Sequence, residues 1–166
     1  MKKDAFLILV ILCFLSFAQR CFSQPQALDS GWHHLRNTGA REWSEFPRDA
    51  KDSTLVVSFS SLGNASEKTL SLRQYDVKQD WRVLLNSKDI GTLVVDEKDR
   101  VSYLKIPAGI LQAENTNEVL CRSEQVDDIM LGEIALHHKP LDSILSEGRV
   151  TIAVYDEETG VRAHVE

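Results

Sequence analysis

Short apolar runs rich in Val, Leu and Ile recur from Ser53 to Tyr155, each closed off by Gly, Asn, Asp, Ser or Pro. Runs this short, punctuated this regularly by turn-forming residues, read as a succession of β-strands rather than helices. They are Ser53–Ser60, Lys68–Tyr75, Trp81–Asn86, Gly91–Val95, Val101–Ile106, Glu118–Arg122, Ile129–His137 and Arg149–Tyr155. Apolar residues alternate within them: Leu55, Val57 and Phe59 share one face, and so do Trp81, Val83 and Leu85, with Arg82 and Asn86 opposite. Period two with one polar face predicts an all-β chain, about eight strands stacked as an antiparallel β-sandwich.

Helical signals are few. Pro107–Gln112 is long enough for one turn, and Pro140–Ser146 predicts a short helix with Pro140 at its first position and Gly148 beyond its end. The chain of 166 residues is long enough for one domain with its own core. Its start is set apart. Lys2 and Lys3 precede an apolar run from Ala5 to Ala18, and small residues Cys21 and Ser23 lead to a cut between Ser23 and Gln24. This is the pattern of a secretory signal peptide over residues 1–23, because Gln19-Arg20 ends the run before the roughly 20 apolar residues a membrane span requires. The expected location is therefore secreted or periplasmic. Residues 24–39 are polar and irregular, a linker or a leading strand, and residues 40–146 form the sandwich.

Removing residues 1–23 leaves 16 basic and 24 acidic residues, so the net charge moves from -6 to -8. Nucleic acid and membrane surfaces need clustered Lys and Arg, and no window supplies them. Cys121 is then the one cysteine, so no internal disulfide forms and packing must hold the fold. Its setting in Val119-Leu120-Cys121 reads as a structural thiol.

The series Leu70-Ser-Leu-Arg73, Asp76-Val-Lys-Gln-Asp-Trp81, Val83-Leu-Leu-Asn86, Gly91-Thr-Leu93, Ile106-Pro107 and Asn115-Thr-Asn117-Glu-Val-Leu120 resembles the galactose-binding-like jelly roll over residues 45 to 138. Ser87 stands where that family has its turn Gly, and Glu114-Asn115 where another Gly falls. A second resemblance concerns Val150-Thr-Ile-Ala-Val154-Tyr-Asp156-Glu-Glu-Thr159-Gly160 and Arg162-Ala-His-Val165, which is similar to the opening of a carboxypeptidase-regulatory-like β-sandwich. Residues 147–166 are thus expected to begin a second β domain that is cut short, or to add a strand pair to the first. Such an order is similar to the leading region of large secreted bacterial hydrolases, including metal-dependent ones of the polymerase-and-histidinol-phosphatase type. Their metal ligands match no motif here, so the resemblance implies an accessory module and not their activity.

The chain contains no Gly-x-Ser-x-Gly, phosphate loop, His-Glu-x-x-His or Cys-x-x-Cys. His33-His34 and His137-His138 are strand neighbours that point to opposite faces, so neither pair chelates one ion. Asp76, Asp80, Asp127 and Asp128 are the oxygens available to a structural calcium, against the plainer reading of solvated turn carboxylates. Trp81 shares a face with Val83 and Leu85 and is assigned to the core, whereas Trp32 and Trp43 lie in less periodic sequence where a ring can be exposed. A carbohydrate partner would meet the polar corner: Arg73 and Asp76 as bidentate hydroxyl partners, Asp80 and Asp127 as acceptors, Asn86 as a turn residue. Equally open is an Arg73–Asp76 ion pair that only fixes the corner. Three functions stand side by side: a non-catalytic carbohydrate-binding or substrate-positioning module attached to a larger hydrolase, a structural spacer without a ligand, and an independent enzyme.

Overall fold

The computed structural model describes residues 24–42, 50 and 53–147, with the backbone of two further strands at 152–155 and 162–165. The signal segment with Ser23, and Trp43, lie outside the described residues. The elements are β1(Gln26–Arg36), β2(Thr54–Ser60), β3(Lys68–Tyr75), β4(Trp81–Leu85), β5(Lys88–Thr92), β6(Arg100–Ile106), β7(Glu114–Cys121), β8(Asp128–His137), α1(Leu141–Glu147), β9(Ile152–Tyr155) and β10(Arg162–Val165). Two antiparallel four-stranded sheets result, ordered β1-β8-β3-β6 and β2-β7-β4-β5. The pairs β1·β8, β2·β7, β3·β6 and β4·β5 nest like one long hairpin, wound so that successive pairs fall on opposite sheets.

Alternation along the strands builds the interior. Leu35, Leu70, Leu72, Ile106, Ile129, Leu131, Ile134 and Leu136 of the first sheet bury with Leu55, Val57, Phe59, Trp81, Val83, Leu85 and Val119 of the second. Each such side chain contributes about 1.5–3 kcal/mol when fully removed from water. Trp81 has no exposed surface, as its periodicity with Val83 and Leu85 implied. Among the described residues no helix is long and apolar enough to cross a membrane.

Strand boundaries differ from the sequence reading where polar residues do structural work. β5 starts at Lys88 rather than Gly91, because Asn86 (φ 51°) and Ser87 (φ 63°) form a two-residue turn that pairs Leu85 with Lys88 at once. Paired left-handed residues match the twist of a hairpin, and Ser87 takes this conformation in place of Gly. β7 starts at Glu114 rather than Glu118, and its inward positions Asn115 and Asn117 are buried although polar. Gln26–Arg36 is the leading strand and not a linker, paired along β8. Pro107–Gln112 forms no helix; Gly109 turns there with φ 78°. The short helix after Pro140 is present. Beyond it, β9 and β10 pair with each other as a two-stranded sheet of their own.

Candidate functional site

The predicted polar corner is a structural clamp. Chain direction changes at Asp76 (φ 61°), whose Oδ2 accepts from Lys78 Nζ at 3.0 Å. The same ammonium lies 3.0 Å from Glu42 Oε2 and 3.5 Å from Asp127 Oδ1. Asp127 is fully buried, and its Oδ2 accepts from Lys78 N at 3.1 Å, Gln79 N at 2.9 Å and Trp81 Nε1 at 2.8 Å. Burial pushes the Asp127 carboxyl above the ordinary range, more than these donors and Lys78 pull it down. Next door, Asp128 Oδ1 binds His34 Nε2 at 2.8 Å and Arg36 Nε at 2.7 Å, and its Oδ2 accepts from Glu42 N. Burial works upward on Asp128 too, but the Glu42 N–H, Arg36 and His34 outweigh it and hold the carboxyl below the usual range.

These contacts separate the residues that the sequence reading grouped. Arg73 and Asp76 do not pair with each other: Arg73 bonds Asp99 and Glu133, and Asp76, beyond the end of β3, bonds Lys78. Asp80 is exposed and bonds Arg82 Nε at 3.1 Å. Asn86 donates to Ile110 O and Asn115 Oδ1 and accepts from Thr116 N, each at 2.9 Å, which ties the β4–β5 turn to β7. Only Asp76 and Asp127 come together, around Lys78. Among the described residues no group of three or more His, Cys, Asp or Glu is arranged to hold a metal ion. His33 bonds Asp29 and His34 bonds Asp128, on opposite faces of β1 as neighbours must.

Arg73 instead belongs to the outer face of the first sheet. Register across the strands sets Trp32, Gly132, Arg73 and Val101 in one row, and His34, Met130 and Tyr75 in the next. Ala135, Ser71 and Tyr103 form the row on the other side. Trp32 (39% exposed), Tyr75 (43%) and Tyr103 (38%) are large aromatics left open to solvent on this one face. Trp32, Tyr75 and Met130 line an open depression of about 320 Å³. The Arg73 guanidinium lies 5.2 Å from the centre of the Trp32 ring. It grips Asp99 with two bonds, Nε to Oδ1 at 2.8 Å and Nη2 to Oδ2 at 2.6 Å, and Glu133 Oε1 with Nη1 at 2.7 Å. These bonds raise the guanidinium above its usual range and hold Asp99 below the usual carboxylate range, so Asp99 serves as an acceptor and not as a proton donor. On the same face His137 bonds Ser71 Oγ, and burial followed by its neighbour His138 keeps its imidazole below the ordinary range and uncharged near pH 7.

Local irregularities aim this face. β1 departs from regular register between Ala27 and Asp29 and again before Trp32. Asp29 holds the bulge, accepting from Gly31 N at 2.7 Å and bonding His33 Nε2 at 2.8 Å. Opposite, Gly132 lets the Gly31 carbonyl pass where a side chain would start: a Cβ there would lie 1.9 Å from that oxygen. Glu133 takes φ 46°, a conformation non-glycine residues enter at a cost of about 1–3 kcal/mol. Bulges re-aim side chains, and the one in β8 lets Glu133 reach Arg73 from the same side as Trp32, while Asp99 reaches it from the segment before β6.

Trp32 was an open candidate in the sequence, whereas Tyr75, Asp99, Met130 and Glu133 were missed. A signal existed for Tyr75: with Leu70 and Leu72 inward, Ser71, Arg73 and Tyr75 must share the outer face. For Asp99, Met130 and Glu133 there was none, since strand order decides which segments flank β3.

No protein family and no curated protein matches the sequence. Among solved structures, the chain is similar to the CBM22-1 and GH10 modules of Clostridium thermocellum endo-1,4-β-D-xylanase 10B complexed with xylohexaose, with TM-score 0.41 and 13% identity over 70% of this chain and 28% of that one. It is also similar to the Podospora anserina GH26-CBM35 β-(1,4)-mannanase, with TM-score 0.33 and 16% identity over 72% of this chain and 29% of that one. The chain thus spans less than a third of the length of either protein.

Proposed function

We propose that this chain is a non-catalytic binding module that holds carbohydrate on the outer face of the β1-β8-β3-β6 sheet and positions it for a hydrolase to which the module is attached. The nested strand order supports a double-sheet jelly roll, two Greek keys wound together. The observation that carries the reading is Trp32: a solvent-exposed indole on a rigid sheet, beside Tyr75 and Met130 and bordered by Arg73, Asp99 and Glu133. Pyranose rings present apolar C–H faces that stack on such rings, while their hydroxyls seek charged and polar partners around the edge. Alternation from the buried Leu35 turns this Trp outward in the regularly paired end of β1. The basic, apolar leader supports export, which would bring the module to polysaccharide outside the cell.

Native affinity gels cast with soluble plant and algal polysaccharides test this. The full chain should be retarded by at least one of them, Trp32→Ala and Tyr75→Ala should migrate freely, and Val56→Ala on the second sheet should behave as wild type. Retardation by none of the polysaccharides, or unchanged retardation of Trp32→Ala, would overturn the carbohydrate reading and favour a spacer.

A further inference from the structure

The charges around Trp32 are unevenly matched. Arg73 is the cation at the centre of the face, and two carboxylates, Asp99 and Glu133, are committed to it. All three remain substantially exposed, at 36% for Arg73, 46% for Asp99 and 47% for Glu133, so a ligand on the aromatic rings meets them. The cations bordering the face are engaged as well: Arg36 with Asp128, Arg100 with Asp96, and Lys105 with Glu67 and Asp142. His137 adds no charge near neutral pH, because its imidazole is held below the ordinary range.

Acidic sugars need an available guanidinium or ammonium for their carboxylate or sulfate, preferably in bidentate geometry. Here the bidentate edge of Arg73 is already filled by Asp99. A uronate or sulfate would have to displace that carboxylate and then lie beside it and Glu133. A neutral sugar faces no such conflict. Its hydroxyls donate to the carboxylate lone pairs that Arg73 leaves over, because each carboxylate accepts at about four sites and Arg73 takes two on Asp99 and one on Glu133.

We propose that this face selects neutral polysaccharide chains over uronate- or sulfate-bearing ones, and that Asp99 and Glu133 are the residues that impose the choice. The proposal rests on the carbohydrate reading of the same face.

Titration calorimetry on the full chain, with a neutral xylan or glucomannan against polygalacturonate and a sulfated galactan, tests it. Wild type should bind a neutral polymer with little response to salt and bind the anionic ones more weakly. The Asp99→Asn/Glu133→Gln variant keeps the shapes and removes both charges. Its ratio of neutral to anionic affinity should fall by about fivefold for each charge removed, the factor one unit charge a few ångström away in water gives. High salt should shrink the wild-type ratio in the same direction. Anionic polymers that bind wild type as tightly as neutral ones, or a ratio unchanged in the variant with its thermal melt intact, would overturn the selectivity while leaving a carbohydrate site. Binding of neither class would overturn the carbohydrate reading itself and this inference with it.

Discussion

Replacing Asp127 decides what holds the corner between β3 and β4 together. Its Oδ2 is the acceptor for three donors, the N–H groups of Lys78 and Gln79 and the Trp81 indole N–H, on a carboxylate with no exposed surface. In Asp127→Ala each donor loses that acceptor, at about 1–3 kcal/mol for every group left buried and unpaired. Relief from burying a carboxylate offsets part of this, which leaves a net loss of about 3–5 kcal/mol, the range for breaking a buried charged pair. Asp127→Asn keeps one oxygen and loses about 1–2 kcal/mol. The acid dependence follows from burial having raised this carboxyl above its unfolded value. Wild type therefore gains stability as the pH falls through the raised value toward the ordinary aspartate range of about 3.9, and loses that gain as the pH climbs back. Asn does not titrate, so the advantage of wild type over Asp127→Asn should widen in mild acid. Urea unfolding followed by tryptophan fluorescence and far-ultraviolet circular dichroism, repeated from neutral to mildly acidic pH, measures all three quantities. A loss under about 1 kcal/mol for Asp127→Ala, or an Asp127→Asn protein more stable than wild type at neutral pH, would show that charge burial and not hydrogen bonding governs the corner.

Gly132→Ala should lose about 2–4 kcal/mol and alter the near-ultraviolet signal of Trp32, because its Cβ would meet the Gly31 carbonyl oxygen at 1.9 Å and backbone has to move. Asn117→Leu should raise the urea midpoint by an amount worth about 1–2 kcal/mol, since neither amide atom of this fully buried side chain has a hydrogen-bond partner among the described residues and Leu offers the same branching without polar atoms. Lys78→Met removes the one ammonium within 3.5 Å of Asp76, Asp127 and Glu42, so the melting temperature at neutral pH should drop relative to wild type in a thermal melt followed by circular dichroism.

Much of the architecture was legible one residue at a time. Leu55, Val57 and Phe59, or Trp81, Val83 and Leu85, declare an inner face by alternation alone, and the structure buries all six. Where the sequence reading slipped, a polar side chain had taken a backbone or core role. Asn115 is buried at 3% exposure because its amide bonds Gln112 N and O, Ser61 Oγ and the Asn86 amide, a set of partners no local pattern reveals. Asp127 looked like a solvent-facing acceptor until the fold laid it over the Trp81 indole, 46 positions away in sequence.

Alternating hydrophobicity and turn chemistry are local, so the sequence by itself determined that this chain makes a two-layered all-β fold with Trp81 inside. Which strands become neighbours is not local. Only the winding that sets β1 and β6 on either side of the β8·β3 pair gathers Trp32, Tyr75, Arg73, Asp99 and Glu133 onto one face. A binding surface made of side chains from three strands and the segment leading into a fourth exists only once long-range pairing has placed those strands side by side.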